Sequence, residues 1–354
     1  MGISFQYCVC QENISIATLE WEQPIPTALS HLLVGERFGI PPLVQYDIIN
    51  NSKEEVNLTV ETEIETHSNK QEETRAVLPY SAIRINHTPL FKSSIAGINE
   101  MCLANLKMKV SSAETALLHK TTRLRLLAFD TMIFEILNPL TQRVFNLHDF
   151  LSVWVTPHNK DVQKIISIAK EYHPEKTLQG YPASSNMNEI RKATYLQCEA
   201  LFMALKEIGI SYVDSSISFG WSLLYQHQRI QLPGTSIITK KANCIDGAVL
   251  FASLLEHIGL GAILVLVPGH ALVGWFTDSE TKNIALLETT LISSEDFRTA
   301  LHYGQVSLRN GLESARKSLR NPQLTIEQAT SQGIIRFIDV RKMREKEILP
   351  QPYA

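Results

Sequence analysis

The chain has 354 residues, more than one average domain, so we expect two domains. Hydrophobic residues make up 44% of it and charged residues 19%, values that are typical of packed globular proteins and exclude a largely disordered chain. The net charge of −3 argues against nucleic acid as the main ligand, because phosphate binding usually needs a basic surface.

The sequence contains no apolar run of the roughly 18 residues needed to span a bilayer, and its first residues do not resemble a signal peptide. Its five cysteines lack the spacing of a disulfide framework, which indicates reduced thiols. We therefore predict a cytoplasmic protein that does not act at a membrane. We find no P-loop, dinucleotide fingerprint or metal-ligand spacing, so no cofactor and no metal are expected.

The first part of the chain has a hydrophobic pattern with a period of two. Residues 56–64 alternate between apolar and polar as a half-buried strand does, and residues 102–110 do the same. The polar segment 50–55 lies between two such runs and predicts a hairpin. Without any long helical pattern, we predict an antiparallel β-sandwich of immunoglobulin type over residues 1–137.

Beyond about residue 158 the pattern becomes helical. Asn159 is predicted to cap a helix, and a second helix is predicted over residues 187–208. A third helix, over residues 243–259, is apolar on most sides and is therefore expected at the centre of its domain. Three buried strands are predicted after it, over residues 261–267, 270–276 and 284–288.

Cys244 stands at the start of this central helix. The unpaired amides and the dipole of a helix N-terminus favour an anion, and so favour a nucleophilic thiolate. Most cysteines in apolar helices are small core residues, which is the alternative for Cys244. Asn243 and Asp246 make this helix end polar, and that favours chemistry over simple packing.

His270 begins a strand directly after Gly269, and a histidine in that place is often only structural. A hairpin that is symmetric about Ser279 would place Glu288 directly across from His270 on one sheet face. A carboxylate there can fix the tautomer of the ring and stabilise the imidazolium, unless Glu288 points to solvent at the strand end. With Cys244, the set predicts a nucleophile, a base and an orienting acid, in the chain order of papain-like enzymes.

Several segments carry a resemblance to a known family: residues 242–247, 265–275 and 287–290. They resemble the bacterial transglutaminase-like cysteine peptidase superfamily. The order of segments is similar to the N-terminal part of large bacterial proteins that join an immunoglobulin-like domain and a transglutaminase-like domain to a helicase. Further matches to that pattern are residues 154–159, 209–213 and 228–233. The resemblance is specific over about residues 154–292, weak before them, and has no helicase counterpart here.

The resemblance implies an α+β protein in which a papain-like domain over residues 138–354 follows the sandwich, with its central helix packed on an antiparallel sheet. It implies Cys244 as the nucleophile, His270 as the base and Glu288 as the orienting acid. Many members of the superfamily carry Asp in the place of Glu288, so this chain departs from the pattern there.

The resemblance also implies an oxyanion site formed by the backbone N–H of Cys244 and one further donor. Gln228 is the first candidate for that donor and Trp221 is the second. The alternative for Gln228 is an ordinary surface glutamine.

The expected activity is hydrolysis of a peptide or isopeptide bond in a protein or peptide substrate through an acyl-enzyme intermediate. A transglutaminase or a protein-glutamine deamidase would use the same three residues, because pocket shape decides the acceptor. A catalytically silent protein-recognition module is the third alternative, although a scaffold has no need of all three residues. The sequence leaves open the substrate and whether activity requires a partner protein encoded in the same operon.

Overall fold

The computed structural model describes residues 4–11, 13–21, 23–33, 38–113, 115–138, 143–214, 219–222, 225–279 and 283–352. Over these residues the chain is a mixed α+β protein with several antiparallel sheets. It divides into two compact units. The first contains the residues up to His148 together with Phe219–Arg229, and the second contains the others from Asp149 to Pro352. The domain ranges 1–137 and 138–354 stay predictions.

The strands and helices are numbered in chain order. The strands are β1 (Ser4–Gln11), β2 (Ile14–Glu20), β3 (Val44–Asn50), β4 (Val56–Ile64), β5 (Gln71–Val77), β6 (Ala82–His87), β7 (Cys102–Ser112), β8 (Thr115–Leu126), β9 (Thr131–Asn138), β10 (Arg143–Asn146), β11 (Ser211–Tyr212), β12 (Phe219–Ser222), β13 (Tyr225–Arg229), β14 (Lys241–Ala242), β15 (Ala262–Val267), β16 (His270–Phe276), β17 (Ile284–Leu287) and β18 (Arg336–Asp339). The helices are α1 (Ser30–Leu33), α2 (Lys160–Tyr172), α3 (Met187–Glu207), α4 (Pro233–Thr239), α5 (Cys244–His257), α6 (Phe297–Leu319), α7 (Ile326–Ser331) and α8 (Val340–Glu345).

The first unit is built from antiparallel sheets with the strand orders β1-β2-β3-β6, β5-β4-β7-β8 and β10-β9-β13-β12. Buried positions alternate along β4 and β7, as the period of two predicts. Buried side chains connect the first two of these sheets. The hydroxyl oxygens of Tyr46 and Thr62 lie 2.6 Å apart, and the hydroxyl of Thr122 donates to the buried carboxylate of Glu20 at 2.7 Å.

The segment 50–55 does not form the predicted hairpin. β3 pairs with β2 and β6, whereas β4 pairs with β5 and β7, so this segment carries the chain from one sheet to another. The side-chain amide of Asn50 donates to the carbonyls of Glu54, Val77 and Leu78 at this point. Polar turn residues specify that the chain reverses, but they do not specify which strands pair.

The second unit is organised around α5, whose residues 245–255 are all buried. α5 packs against β15 and β16 in an antiparallel sheet with the order β17-β16-β15-β18. A hydrophobic cluster that includes Val265, Leu286, Leu308 and Leu312 joins this sheet to α6. The central helix on an antiparallel sheet is therefore present.

The helix boundaries in this unit follow the sequence signals closely. Asn159 caps α2 by accepting hydrogen bonds from the amides of Asp161 and Val162. Gly209 and Gly259 follow α3 and α5 with φ values of +82° and +79°, a region where glycine carries no steric penalty.

Gly304 lets α6 approach the end of β17. A Cβ at this position would lie 2.5 Å from the carbonyl oxygen of Leu286 and 2.9 Å from the amide nitrogen of Leu287. The amide of Glu288 also donates to the carbonyl of Ala300 on α6 at 3.1 Å. The helix and the strand end are thus held together by backbone atoms, which cannot move aside as the tip of a side chain can.

We expect Gly304→Ala to lower the free energy of unfolding by about 1–3 kcal/mol, because the added methyl group overpacks against backbone. Gly97→Ala is the matched control, since a Cβ there meets no atom within 4 Å. Urea denaturation of the wild type and both variants measures the difference. Equal losses in the two variants would contradict a tight contact between α6 and β17.

Candidate active site

Cys244 is the first residue of α5 and carries a partly exposed, free thiol. Asn243 caps the helix, with its Oδ1 accepting from the amides of Ile245 at 3.0 Å and Asp246 at 2.9 Å. The Asp246 carboxylate accepts in return from the amide of Asn243 at 3.1 Å, which completes a capping box. The thiol therefore lies at a well-ordered helix N-terminus, as the sequence predicts.

Asp246 also ties α5 to the segment that precedes α4. Its Oδ1 accepts from the amide of Gln231 at 2.8 Å, and the residue is only 2% exposed. The neighbouring carbonyl of Ile230 accepts from Nε1 of the buried Trp154 at 3.0 Å. The spacing of Asn243 and Asp246 gives a sequence signal for the capping box, but nothing local predicts the bond to Gln231, fifteen residues away.

His270 begins β16 and pairs with Val267 across the β15–β16 hairpin. Pro268 and Gly269 connect the two strands, and Gly269 has a φ of +76°. Proline followed by glycine with positive φ is the sequence of a type II turn. A tight turn thus fixes the position of the His270 backbone at one end of the sheet.

The register between β16 and β17 differs from the predicted one. Leu287 pairs with Val273, whereas the symmetric hairpin would pair it with Ala271. His270 and Glu288 are therefore not cross-strand partners, and β17 ends before Glu288. The prediction was wrong by two residues because polar turn residues do not fix the centre of a loop.

Glu288 nevertheless reaches His270 from beyond the end of β17. It caps the 3₁₀ helix Thr289–Leu291, and its Oε1 accepts from the amide and the hydroxyl of Thr290 at 3.3 and 2.8 Å. Its Oε2 accepts from Nε2 of His270 at 2.7 Å and from the hydroxyl of Ser307 at 2.8 Å. Glu288 is 4% exposed, so the solvent-facing alternative is wrong.

The charges of His270 and Glu288 stabilise one another. Burial disfavours the charged form of His270, but hydrogen bonds with Cys244 and Glu288 outweigh it and raise its pKa from 6.5 to about 10. Burial likewise raises the pKa of Glu288, yet hydrogen bonds from His270, Thr290 and Ser307 hold it below its ordinary value. Because Nε2 of His270 is bonded to Glu288, Nδ1 is the ring nitrogen left for the thiol.

A second close approach brings the Glu288 segment next to the thiol end of α5. A Cβ on Gly247 would lie 2.6 Å from the Oγ1 of Thr289. Gly247 stands about one helical turn after Cys244, at 3.6 residues per turn. The absent side chain therefore lets the 3₁₀ helix Thr289–Leu291 lie against the start of α5.

Tyr212 belongs to the matching segment 209–213 and lies at this site, but it was not a predicted site residue. It lies in β11, which pairs in parallel with β14 just before Cys244, and it is 45% exposed. Partial burial, followed by the charges of Asp214, Cys244 and Glu288, raises the pKa of its phenol. Since β11 has only two residues, no strand pattern in the sequence could have indicated it.

The two predicted oxyanion donors lie on the β12–β13 hairpin of the first unit. Gln228 is 5% exposed and pairs with Phe219 and Met132, so it is not an ordinary surface glutamine. The side chain of Trp221 lies outside the part of the chain that the structure describes. The oxyanion role of both residues stays a prediction.

Among the described residues, no group of three or more His, Cys, Asp or Glu side chains could hold a metal ion. In the same part of the chain, no helix combines the length and the apolar character that crossing a membrane requires.

Comparisons with known proteins give no family for this chain. No protein-family model and no curated protein matches it. The exo-chitosanase CsxA from Amycolatopsis orientalis matches with 10% identity and a TM-score of 0.20, over 58% of this chain and 27% of the enzyme. A structure of the inhibited exo-β-D-glucosaminidase CsxA matches with 9% identity, a TM-score of 0.21 and the same coverage. Neither match bears on the fold or the activity of this chain.

We predict that the His270 ring stays protonated at neutral pH and titrates near its pKa of about 10. ¹³C and ¹⁵N shifts of labelled histidine measure this, and Glu288→Gln should move the transition to lower pH because it removes a negative acceptor. Folding raises this pKa above 6.5, so its stabilising contribution is complete below pH 6.5 and is lost as the pH rises through about 10. A His270 transition near 6.5 in the wild type would contradict the assignment.

Proposed function

We propose that this chain is a thiol hydrolase that cleaves a peptide or isopeptide bond in a protein substrate. Cys244 is the nucleophile, His270 the acid and base, and Glu288 the orienting acid. We further propose that the chain is a transglutaminase-like cysteine peptidase with a preceding immunoglobulin-like domain. The resemblance of the segments around these three residues supports that family.

The observation that carries the proposal is the buried His270–Glu288 hydrogen bond, together with the contribution of Cys244 to the raised pKa of the ring. Nε2 of His270 lies 2.7 Å from Oε2 of Glu288, and interaction with the Cys244 side chain contributes to the raised pKa of the ring. A nucleophile, a base and a group that orients the base form the arrangement that activates a thiol. A cysteine that only fills the core does not need this arrangement. Cys198 is such a residue, and burial raises the pKa of its thiol well above the usual range.

The proposed reaction begins from a Cys244 thiolate beside a His270 imidazolium. The Cys244 thiolate attacks the carbonyl carbon and forms a C–S bond, and the His270 imidazolium gives its proton to the leaving amine as the C–N bond breaks. Water then attacks the thioester while the His270 imidazole takes its proton. The C–S bond breaks, the carboxylic acid leaves and loses its proton to the solvent, and the thiolate–imidazolium pair is restored.

The tetrahedral intermediate needs donors for its oxyanion. The amide of Cys244 has no acceptor among the described residues, and the Asn243 side chain bonds the two amides that follow it. This supports the Cys244 amide as one donor at the N-terminus of α5. Gln228, with Trp221 as the alternative, remains the proposed second donor.

A peptide vinyl sulfone tests the proposal, because it adds covalently to an activated thiolate. We expect one adduct per chain, on Cys244, and its loss in Cys244→Ala and His270→Ala. Peptide mapping gives an internal control, since Cys102 is also a partly exposed free thiol but has no histidine bonded to it among the described residues. Equal labelling of Cys102 and Cys244 would contradict an activated nucleophile.

A library of intact peptides incubated with the wild type and Cys244→Ala then identifies the reaction by mass. Cleaved peptides that depend on Cys244 support the hydrolase. Intact peptides whose glutamine amide has become a carboxylate, or has joined an amine, would replace it with a deamidase or a transglutaminase. A reactive Cys244 without any change in the peptides would contradict peptide hydrolysis under these conditions.

A further inference from the structure

The hydrogen bond from Ser307 to the Glu288 carboxylate has no role in the triad proposed above. Oε2 of Glu288 accepts from Ser307 as well as from His270, and Ser307 belongs to a different element, α6. We propose that Ser307 is a positioning residue, which holds Glu288 in the orientation that directs the His270 ring to the thiol. This inference rests on the proposed function.

The direction of the Ser307 hydroxyl supports this role. A helical serine or threonine can bond the carbonyl four residues before it. Other helical hydroxyls in this chain do so: Ser167 to Gln163, Thr239 to Thr235, Ser253 to Val249 and Thr330 to Ile326. The Ser307 hydroxyl instead donates to the Glu288 carboxylate at 2.8 Å. Its hydrogen bond therefore connects α6 to the site instead of serving its own helix.

The Glu288 side chain has conformational freedom that the Ser307 bond restricts. A glutamate has three side-chain torsions, and its terminal torsion is broad, so one hydrogen bond to His270 would leave the carboxylate plane poorly fixed. The amide and the hydroxyl of Thr290 hold Oε1, and the Ser307 hydroxyl holds Oε2 beside His270. Together they leave Oε2 aimed at Nε2 of His270.

The close approach of α6 to the end of β17 brings Ser307 to this position. Gly304 allows α6 to lie against the backbone of Leu286 and Leu287, and the amide of Glu288 bonds Ala300 on the same helix. Ser307 follows Gly304 by about one helical turn, at 3.6 residues per turn, so it stands next to Glu288. The packing of α6 against the end of β17 therefore determines where the Ser307 hydroxyl lies.

Ser307→Thr and Ser307→Val test the inference as a matched pair. The threonine and valine side chains have the same shape, but only threonine keeps the hydroxyl. Ser314→Ala, an exposed serine on the same helix, is the control for α6 itself. The first readout is the titration of the Glu288 carboxyl by ¹³C NMR. Removal of the donor destabilises the carboxylate, so we expect the transition to move to higher pH in Ser307→Val and to stay near that of the wild type in Ser307→Thr and Ser314→Ala.

The second readout is the rate of Cys244 alkylation at neutral pH. We expect it to fall about three- to tenfold in Ser307→Val, the net effect of one typical lost hydrogen bond, and to recover in Ser307→Thr. Identical Glu288 transitions and alkylation rates in the two variants would overturn the inference. That result differs from failure of the proposed function, in which Cys244 of the wild type is itself unreactive and gives no vinyl sulfone adduct.

Discussion

The candidate site depends on a carboxylate that is buried and fully paired. A charge with as little solvent contact as that of Glu288 is tolerated only with donors around it, and His270, Thr290 and Ser307 supply them. Hydrogen bonds with Cys244 and Glu288 outweigh burial and raise the pKa of His270 to about 10. An imidazolium at neutral pH next to Cys244 is the direct consequence. The buried Glu288 carboxylate is therefore the group that the protonation of the site depends on.

Two glycines make this arrangement possible by bringing helices to the segment that carries the acid. Gly247 allows α5 to contact Thr289, and Gly304 allows α6 to contact the backbone before Glu288. The acid segment is thereby held between the helix that carries the thiol and the helix that carries Ser307. The geometry of the candidate site depends on this packing, so overpacking at either glycine should affect the site as well as the fold.

Local signals predicted the parts of the molecule that depend on local structure. The start of α5 at Cys244 and the strand at His270 follow from capping chemistry and hydrophobic period. The β16–β17 register and the supposed hairpin at 50–55 were wrong, because the pairing of strands depends on tertiary packing. Ser307 could not be found at all, since its partner Glu288 lies nineteen residues away and a lone helical serine gives no signal. The immunoglobulin-like and papain-like arrangements stay predictions.

The central claim is that Cys244 and His270 form a thiolate–imidazolium pair. The most direct test is the rate of Cys244 alkylation by iodoacetamide from about pH 4 to about pH 9, in the wild type and in His270→Ala. The account predicts a fast rate that persists below about pH 7 and is lost in the variant. A rate that rises only near the ordinary thiol pKa of about 8.5, and is the same in both proteins, would contradict it.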